Sequence, residues 1–82
     1  METRIALISI IVEKDGDTAK LNDILHNYSD YIIGRMGIPY KKREINIISV
    51  AIDAPQDAIN ALTGSLGKLE KITAKATYSQ KN

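Results

Sequence analysis

The sequence predicts an α+β protein of ferredoxin-like βαββαβ order. Three observations predict it. Runs of β-branched residues alternate with segments whose apolar residues recur at helical spacing. Short polar or glycine-bearing breaks separate them. The order strand, helix, strand, strand, helix, strand makes two β-α-β crossovers, which interlock into one sheet of order 4-1-3-2 with both helices on one face.

The first strand is RIALISIIVE, residues 4–13, rich in isoleucine and valine. DGD at 15–17 breaks it. Leu21, Ile24, Leu25 and Tyr28 then fall at i, i+3, i+4 and i+7 and define the inner face of a first helix. Asp17 or Thr18 can cap it by accepting from the first free N–H groups. YIIGRMGIPY, residues 31–40, reads as the second strand, with Gly34 and Gly37 serving a bulge or a close backbone approach. Pro39 fits there because this strand lies at a sheet edge. KKRE at 41–44 is a polar turn, and INIISVAID at 45–53 is the third strand. Asp53, Pro55 and Gln56 together carry helix-start chemistry, with Asp53 as the cap. Ile59, Leu62, Leu66 and Leu69 keep helical spacing, and Gly67 marks the stop. KITAKATY at 71–78 alternates as the fourth strand.

The chain has 82 residues, one histidine and no cysteine. It reads as a single domain, 1–82. A chain of this length buries only about 60–65% of the surface its unfolded form exposes. Disulfides and thiolate metal centres are excluded, so association with other copies is the remaining common route to stability. The formal charge of +1 gives no field that would hold nucleic acid. The run IALISIIV is too short to span a bilayer and is followed by no small-residue cleavage site. The expectation is a soluble, cytoplasmic protein with no membrane contact.

The two central strands are apolar on both faces. Ala6, Ile8, Ile10 and Val12 oppose Ile5, Leu7, Ser9 and Ile11; Ile48, Val50 and Ile52 oppose Ile45, Ile47, Ser49 and Ala51. An antiparallel sheet with helices on one side ordinarily shows polar residues on the other. Edge strand four does so, with Thr73, Lys75 and Thr77. The second face, through Ile5, Leu7, Ser9, Ile11, Ile45, Ile47 and Ser49, is expected to pack on another subunit, making a homo-oligomer, dimer or tetramer. The bland reading is that short apolar strands are common and that the serines soften this face.

HNYSDYIIGRMGIPY, residues 26–40, gathers the chemically capable side chains. His26 points away from the core stripe, with Asp23 and Asp30 at i−3 and i+4, within reach on a helix. It reads first as a solvated or interface histidine, then as a small-molecule contact. One imidazole and two carboxylates are a thin ligand set, so no metal site is assigned. Tyr28 belongs to the core. Tyr31 and Tyr40 bracket the second strand and could line a pocket or an interface. Arg35 is the candidate anion holder, its fork suited to a carboxylate, against the alternative of an ordinary exposed arginine.

Other motifs carry little. Lys41, Lys42 and Arg43 read as a solvated turn. An RNA-binding sheet would need stacking aromatics on its open face, and the central strands offer none. LTGSLG at 62–67 ends a helix and lacks the lysine of a phosphate loop. No nucleophile motif frames a serine, and paired carboxylates are not argued by spacing, so the chain reads as a non-enzyme. No cofactor is named by any residue pattern.

LHNYS (25–29), RMGIP (35–39) and ALTGSLGKL (61–69) resemble the small regulators of the iron-only hydrogenase system. That family's pattern is L-H-N-x-S closing helix one, R-x-G-x-P in strand two and A-L-[S/T]-G-x-L-G in helix two. The resemblance runs nearly the whole chain. It implies a fold similar to ACT domains and to the C-terminal domain of nickel-responsive repressors, which pair through their sheets and bind ligands at subunit interfaces. It further implies a sensing role, with His26, Asn27, Ser29, Arg35 and Gly37 as matching positions. The chain departs from the nickel repressors in lacking their several histidines and cysteine, and it carries no DNA-reading segment.

Three functions follow in order. The first is a ligand-responsive regulatory module, binding a small metabolite at a subunit interface through Arg35, His26 and Ser29. The second is an assembly protein that needs no ligand. The third is a small ferredoxin-like enzyme, which ranks last because EKDGDT at 13–18 is acidic where an acylphosphatase needs a basic phosphate loop.

Overall fold

A computed structural model describes residues 2–80. The order is β1 (Arg4–Val12), α1 (Thr18–Asn27), β2 (Ile32–Tyr40), β3 (Ile45–Ala54), α2 (Gln56–Gly67) and β4 (Ile72–Tyr78). Short 3-10 turns, Ser29–Tyr31 and Lys41–Arg43, flank β2. The four strands form one antiparallel sheet of order β2-β3-β1-β4, the ferredoxin-like arrangement expected from the sequence.

Period-two patterning sends one side of each central strand under the helices. Ile8, Ile10, Val50 and Ile52 are fully buried there against Leu21, Ile59, Leu62 and Leu66. Each such side chain contributes roughly 1.5–3 kcal/mol by leaving water. Among the described residues no polar or charged side chain is buried, so this core carries no desolvation cost. Tyr28 is half-buried and packs against it.

Local chemistry fixes the helix ends. Asp17 caps α1, its side chain accepting from Lys20 N–H at 3.0 Å. The second cap is a correction. Asp53 does not cap α2; it stays in β3, opposite Ile5, and Pro55 stands at the cap position with no side-chain hydrogen bond. The strand runs one residue further than its apolar pattern indicates, because the β1 ladder extends to Arg4 opposite Ala54. Gln56, freed from capping, accepts from Arg4 Nη1 at 2.6 Å and donates to the Tyr78 hydroxyl at 2.7 Å. Helix α2 ends at Gly67 as expected. The left-handed conformation is instead taken by Asp15, Glu44 and Lys71 in the connections.

The helices do not cover the sheet evenly. Every residue of β2 except Ile32 is exposed. A bulge between Ile32 and Gly34 lies at its start, where the bulge reading of Gly34 placed it. The close-approach reading of the two glycines is corrected. A Cβ at Gly34 would meet nothing within 4 Å, and one at Gly37 only Ile48 Cγ1 at 4.0 Å.

Candidate functional site

The two faces of β2 define two separate surfaces. On the helix side, Arg35, Gly37 and Pro39 lie opposite Val50, Ile48 and Asn46. On the open side, Gly34, Met36, Ile38 and Tyr40 lie opposite Ala51, Ser49, Ile47 and Ile45.

The helix-side surface is a groove between α1 and β2 of about 240 Å³, lined by Thr18, Arg35, Gly37, Pro39, Asn46 and Ile48 among others. Thr18, Asn22 and His26 recur every fourth residue along α1, so they form one stripe. Asn22 faces the strand, because Arg35 Nη2 donates to its Oδ1 at 2.7 Å. His26 lies one turn further along the same stripe and is exposed. Asp23 and Asp30 are within sequence reach of His26, but the ion pairs among the described residues are Lys14–Glu44 and Lys71–Asp15. No group of three or more His, Asp or Glu among the described residues is arranged to hold a metal ion.

The structure therefore gathers part of the expected site and disperses the rest. Arg35 and Gly37 share the groove. His26 stands near its end. Asn27, the last residue of α1, and Ser29, which opens the 3-10 turn, are exposed beyond it. Tyr40 belongs to the opposite face and borders a separate notch of about 380 Å³ at the β2–β3 hairpin, with Lys41 and Glu44. Thr18, Asn22 and Asn46 are groove residues that the sequence reading missed. The four-residue repeat Thr18, Asn22, His26 was the available signal.

The open face carries the larger surface. Ile5, Leu7 and Ile47 are exposed, as are Met36, Ile38 and Tyr40 from β2. Ile11, Ile45 and Ser49 are half-buried, and Ser9 is exposed. The apolar surface is greatest on β2: Met36 is 63% and Ile38 54% exposed, against 39% for Ile47 of central β3. At the far side β4 presents Thr73, Lys75 and Thr77, all exposed. The apolar area thus spans β2, β3 and β1 and stops at β4. Two hollows lie in it. One, of about 270 Å³, includes Leu7, Gly34, Met36, Ser49 and Ala51. The other, of about 170 Å³, includes Ser9, Ile11, Ile38 and Ile47. No helix among the described residues is long and apolar enough to cross a membrane.

Comparisons with known proteins agree with this architecture. The family model described as "TM1266-like: Iron-only hydrogenase system regulator, putative" matches residues 4–76. The structure of the uncharacterized protein TM1266 from Thermotoga maritima is similar, with a TM-score of 0.92 and 30% sequence identity over 96% of this chain and 100% of that one. No curated protein matches. A family match over most of the chain, with the same fold in a solved relative, identifies this protein as a member of the TM1266-like family, described as regulators of the iron-only hydrogenase system.

Proposed function

We propose that this protein is a homo-oligomeric, ACT-like regulatory module rather than an enzyme, assembling through the open face of its sheet and binding a small ligand at the margin of that interface. The family description supports the regulatory part and points to an iron-only hydrogenase system as the process regulated.

The observation that carries the reading is the uncovered apolar face: Ile5, Leu7, Met36, Ile38, Tyr40 and Ile47 are exposed together on one side of the sheet. A four-stranded sheet with strands ~4.8 Å apart and a rise of ~3.3 Å per residue offers roughly 500 Å² per copy. Two copies then bury about 1,000 Å², the lower range of a specific interface. Among the described strand residues the face holds one lysine, Lys75, and one carboxylate, Asp53, so a second copy meets no accumulated like charge. Ligand binding is assigned to the α1–β2 groove, where Arg35 supplies a cation and Thr18 and Asn22 supply neutral polar groups. Since β2 contributes one face to each surface, occupation of the groove bears on the interface.

Native mass spectrometry of protein purified without chelator or denaturant tests both parts. An oligomer with retained extra mass supports the whole reading, and the mass identifies the ligand class. A bare monomer overturns it. The second reading, assembly with no small ligand, is favoured by one observation: the Arg35 guanidinium is already engaged by Asn22. A bare oligomer that takes up nothing in a metabolite screen selects that reading.

A further inference from the structure

The β2–β3 hairpin carries the only run of three like charges in the sequence. Lys41, Lys42 and Arg43 form its 3-10 turn, and all three are exposed. Glu44 closes the turn. It adopts a left-handed conformation at φ 57° and donates its N–H to the Lys41 carbonyl oxygen at 3.2 Å. Glycine is the residue such a position ordinarily favours. A carboxylate stands there instead, 3.5 Å from Lys14 Nζ on the connection after β1.

That ion pair decides the charge of the hairpin. Its one carboxylate answers a cation from outside the turn. Among the described residues Lys41, Lys42 and Arg43 form no ion pair and no side-chain hydrogen bond. Asp15 and Asp17, at the same end of the sheet, are engaged as well, with Lys71 and as the cap of α1. Adjacent like charges repel, and hairpin closure does not call for them, since a two-residue neutral turn closes one. An opposite charge outside the chain is the physical reason to look for. Beside the cations lies a seat for an apolar group. The notch of about 380 Å³ runs between Pro39, Tyr40 and Lys41 on one strand end and Glu44, Ile45 and Asn46 on the other. Tyr40 is 44% exposed, and its ring supplies an apolar wall.

We propose that the β2–β3 hairpin is a docking site for a short acidic segment of a partner protein. Its carboxylates meet Lys41, Lys42 and Arg43, and an apolar side chain among them enters the notch. Charge complementarity selects this occupant. Nucleic acid fits less well, because its affinity rests on neutralising many phosphates along a track. Here the positive surface is one turn long. Val12 lies opposite Asn46, so Glu13, next in the chain, and Glu44 bound the cations on the β1 side. A short peptide needs no longer surface than this. Tyr40 and Ile45 are the residues the notch shares with the open face. The inference goes beyond the regulatory reading and does not require the open face to assemble.

Fluorescence anisotropy on the full chain tests it. The probe is a labelled short peptide of glutamate and aspartate around one central leucine, and its binding is expected to weaken as salt rises. Replacing the three cations together, Lys41→Gln, Lys42→Gln and Arg43→Gln, is expected to weaken binding at least about tenfold. The control is Lys20→Gln with Lys68→Gln, which removes two exposed cations beside a separate hollow at the same end of the molecule. It is expected to leave the affinity within about twofold. A serine-centred peptide should bind about tenfold more weakly, because the buried leucine is lost. Oligothymidine of matched charge should bind at least about tenfold more weakly than the leucine peptide. Absence of peptide binding at low salt overturns the proposal, as does equal affinity in the hairpin variant. An equal loss in the control overturns it by showing diffuse attraction, and oligothymidine binding as tight as the peptide's overturns it in favour of a nucleic-acid surface. A fall in subunit count of the hairpin variant in native mass spectrometry assigns the cations to a contact between copies and overturns it too. Equal binding of the serine-centred peptide overturns the part given to the notch.

Discussion

Arg35 on β2 and Asn22 on α1 are joined across the groove, Nη2 to Oδ1, at 2.7 Å. The bond ties an otherwise uncovered edge strand to a helix, yet both residues are exposed. It holds the guanidinium at the groove mouth without burying it, so the remaining N–H groups of the fork stay available to a ligand.

Removing either partner therefore separates binding from stability. Asn22→Ala is expected to lower stability by less than about 1 kcal/mol, since an exposed hydrogen bond exchanges for water. Arg35→Ala is expected to leave the oligomer intact and abolish ligand binding. Calorimetry on the ligand found by native mass spectrometry checks this, and unchanged affinity in Arg35→Ala sinks the assigned role.

A second polar cluster is structural. Arg4 lies over the Tyr78 ring, 4.1 Å from its centroid, while its Nη1 donates to Gln56 Oε1. Gln56 Nε2 in turn donates to the Tyr78 hydroxyl and to Asn60 Oδ1. One side chain thus links β1, α2 and β4 where α2 lacks a side-chain cap. Gln56→Ala is expected to cost about 1–2 kcal/mol, the sum of partly buried hydrogen bonds lost together. Tyr78→Phe should cost less, because the ring still receives Arg4. Urea denaturation of both variants gives the comparison.

Lys71 sits at φ 64°. A left-handed conformation is strained for a residue with a side chain, by about 1–2 kcal/mol. Its ion pair with Asp15, at 3.9 Å and largely exposed, contributes little in return. Lys71→Gly is accordingly expected to raise stability by about 0.5–1 kcal/mol, a gain moderated by the extra freedom glycine gives the unfolded chain. A rise of a few degrees in the thermal midpoint is the expected reading, and a fall would show that the ion pair outweighs the strain.

The sheet was legible because its faces follow a period of two. Alternation alone assigns Ile8 and Ile10 inward and Ile5 and Leu7 outward. The uneven exposure was less legible. Apolar patterning put the open patch over the central strands, whereas Met36 and Ile38 are more exposed than Ile47. How far two helices reach across four strands is a matter of tertiary geometry that patterning does not encode. Asp53 failed as a cap for a related reason: local capping chemistry lost to a longer β1–β3 ladder. His26 and Asn22 share a helical stripe, yet it is Asn22 that meets Arg35 of β2, and that pairing depends on the alignment of α1 against β2.

The glycines give the last test, because they are unlike in kind. A Cβ at Gly16 would lie 2.6 Å from Val12 Cγ1 and 3.1 Å from the Glu13 carbonyl oxygen. Val12 is in the core, and the Gly16 N–H donates to that same Glu13 oxygen at 2.9 Å, so neither neighbour can easily retreat. Gly16→Ala is expected to destabilise by about 1–3 kcal/mol through overpacking at the β1–α1 turn. Gly34→Ala meets no atom within 4 Å, and its smaller entropy loss on folding favours the variant by up to about 1 kcal/mol. Opposite shifts of the urea midpoint are therefore predicted for the same chemical change. A destabilisation by Gly34→Ala as large as that by Gly16→Ala would instead show that a second copy packs closely on Gly34 at the open face.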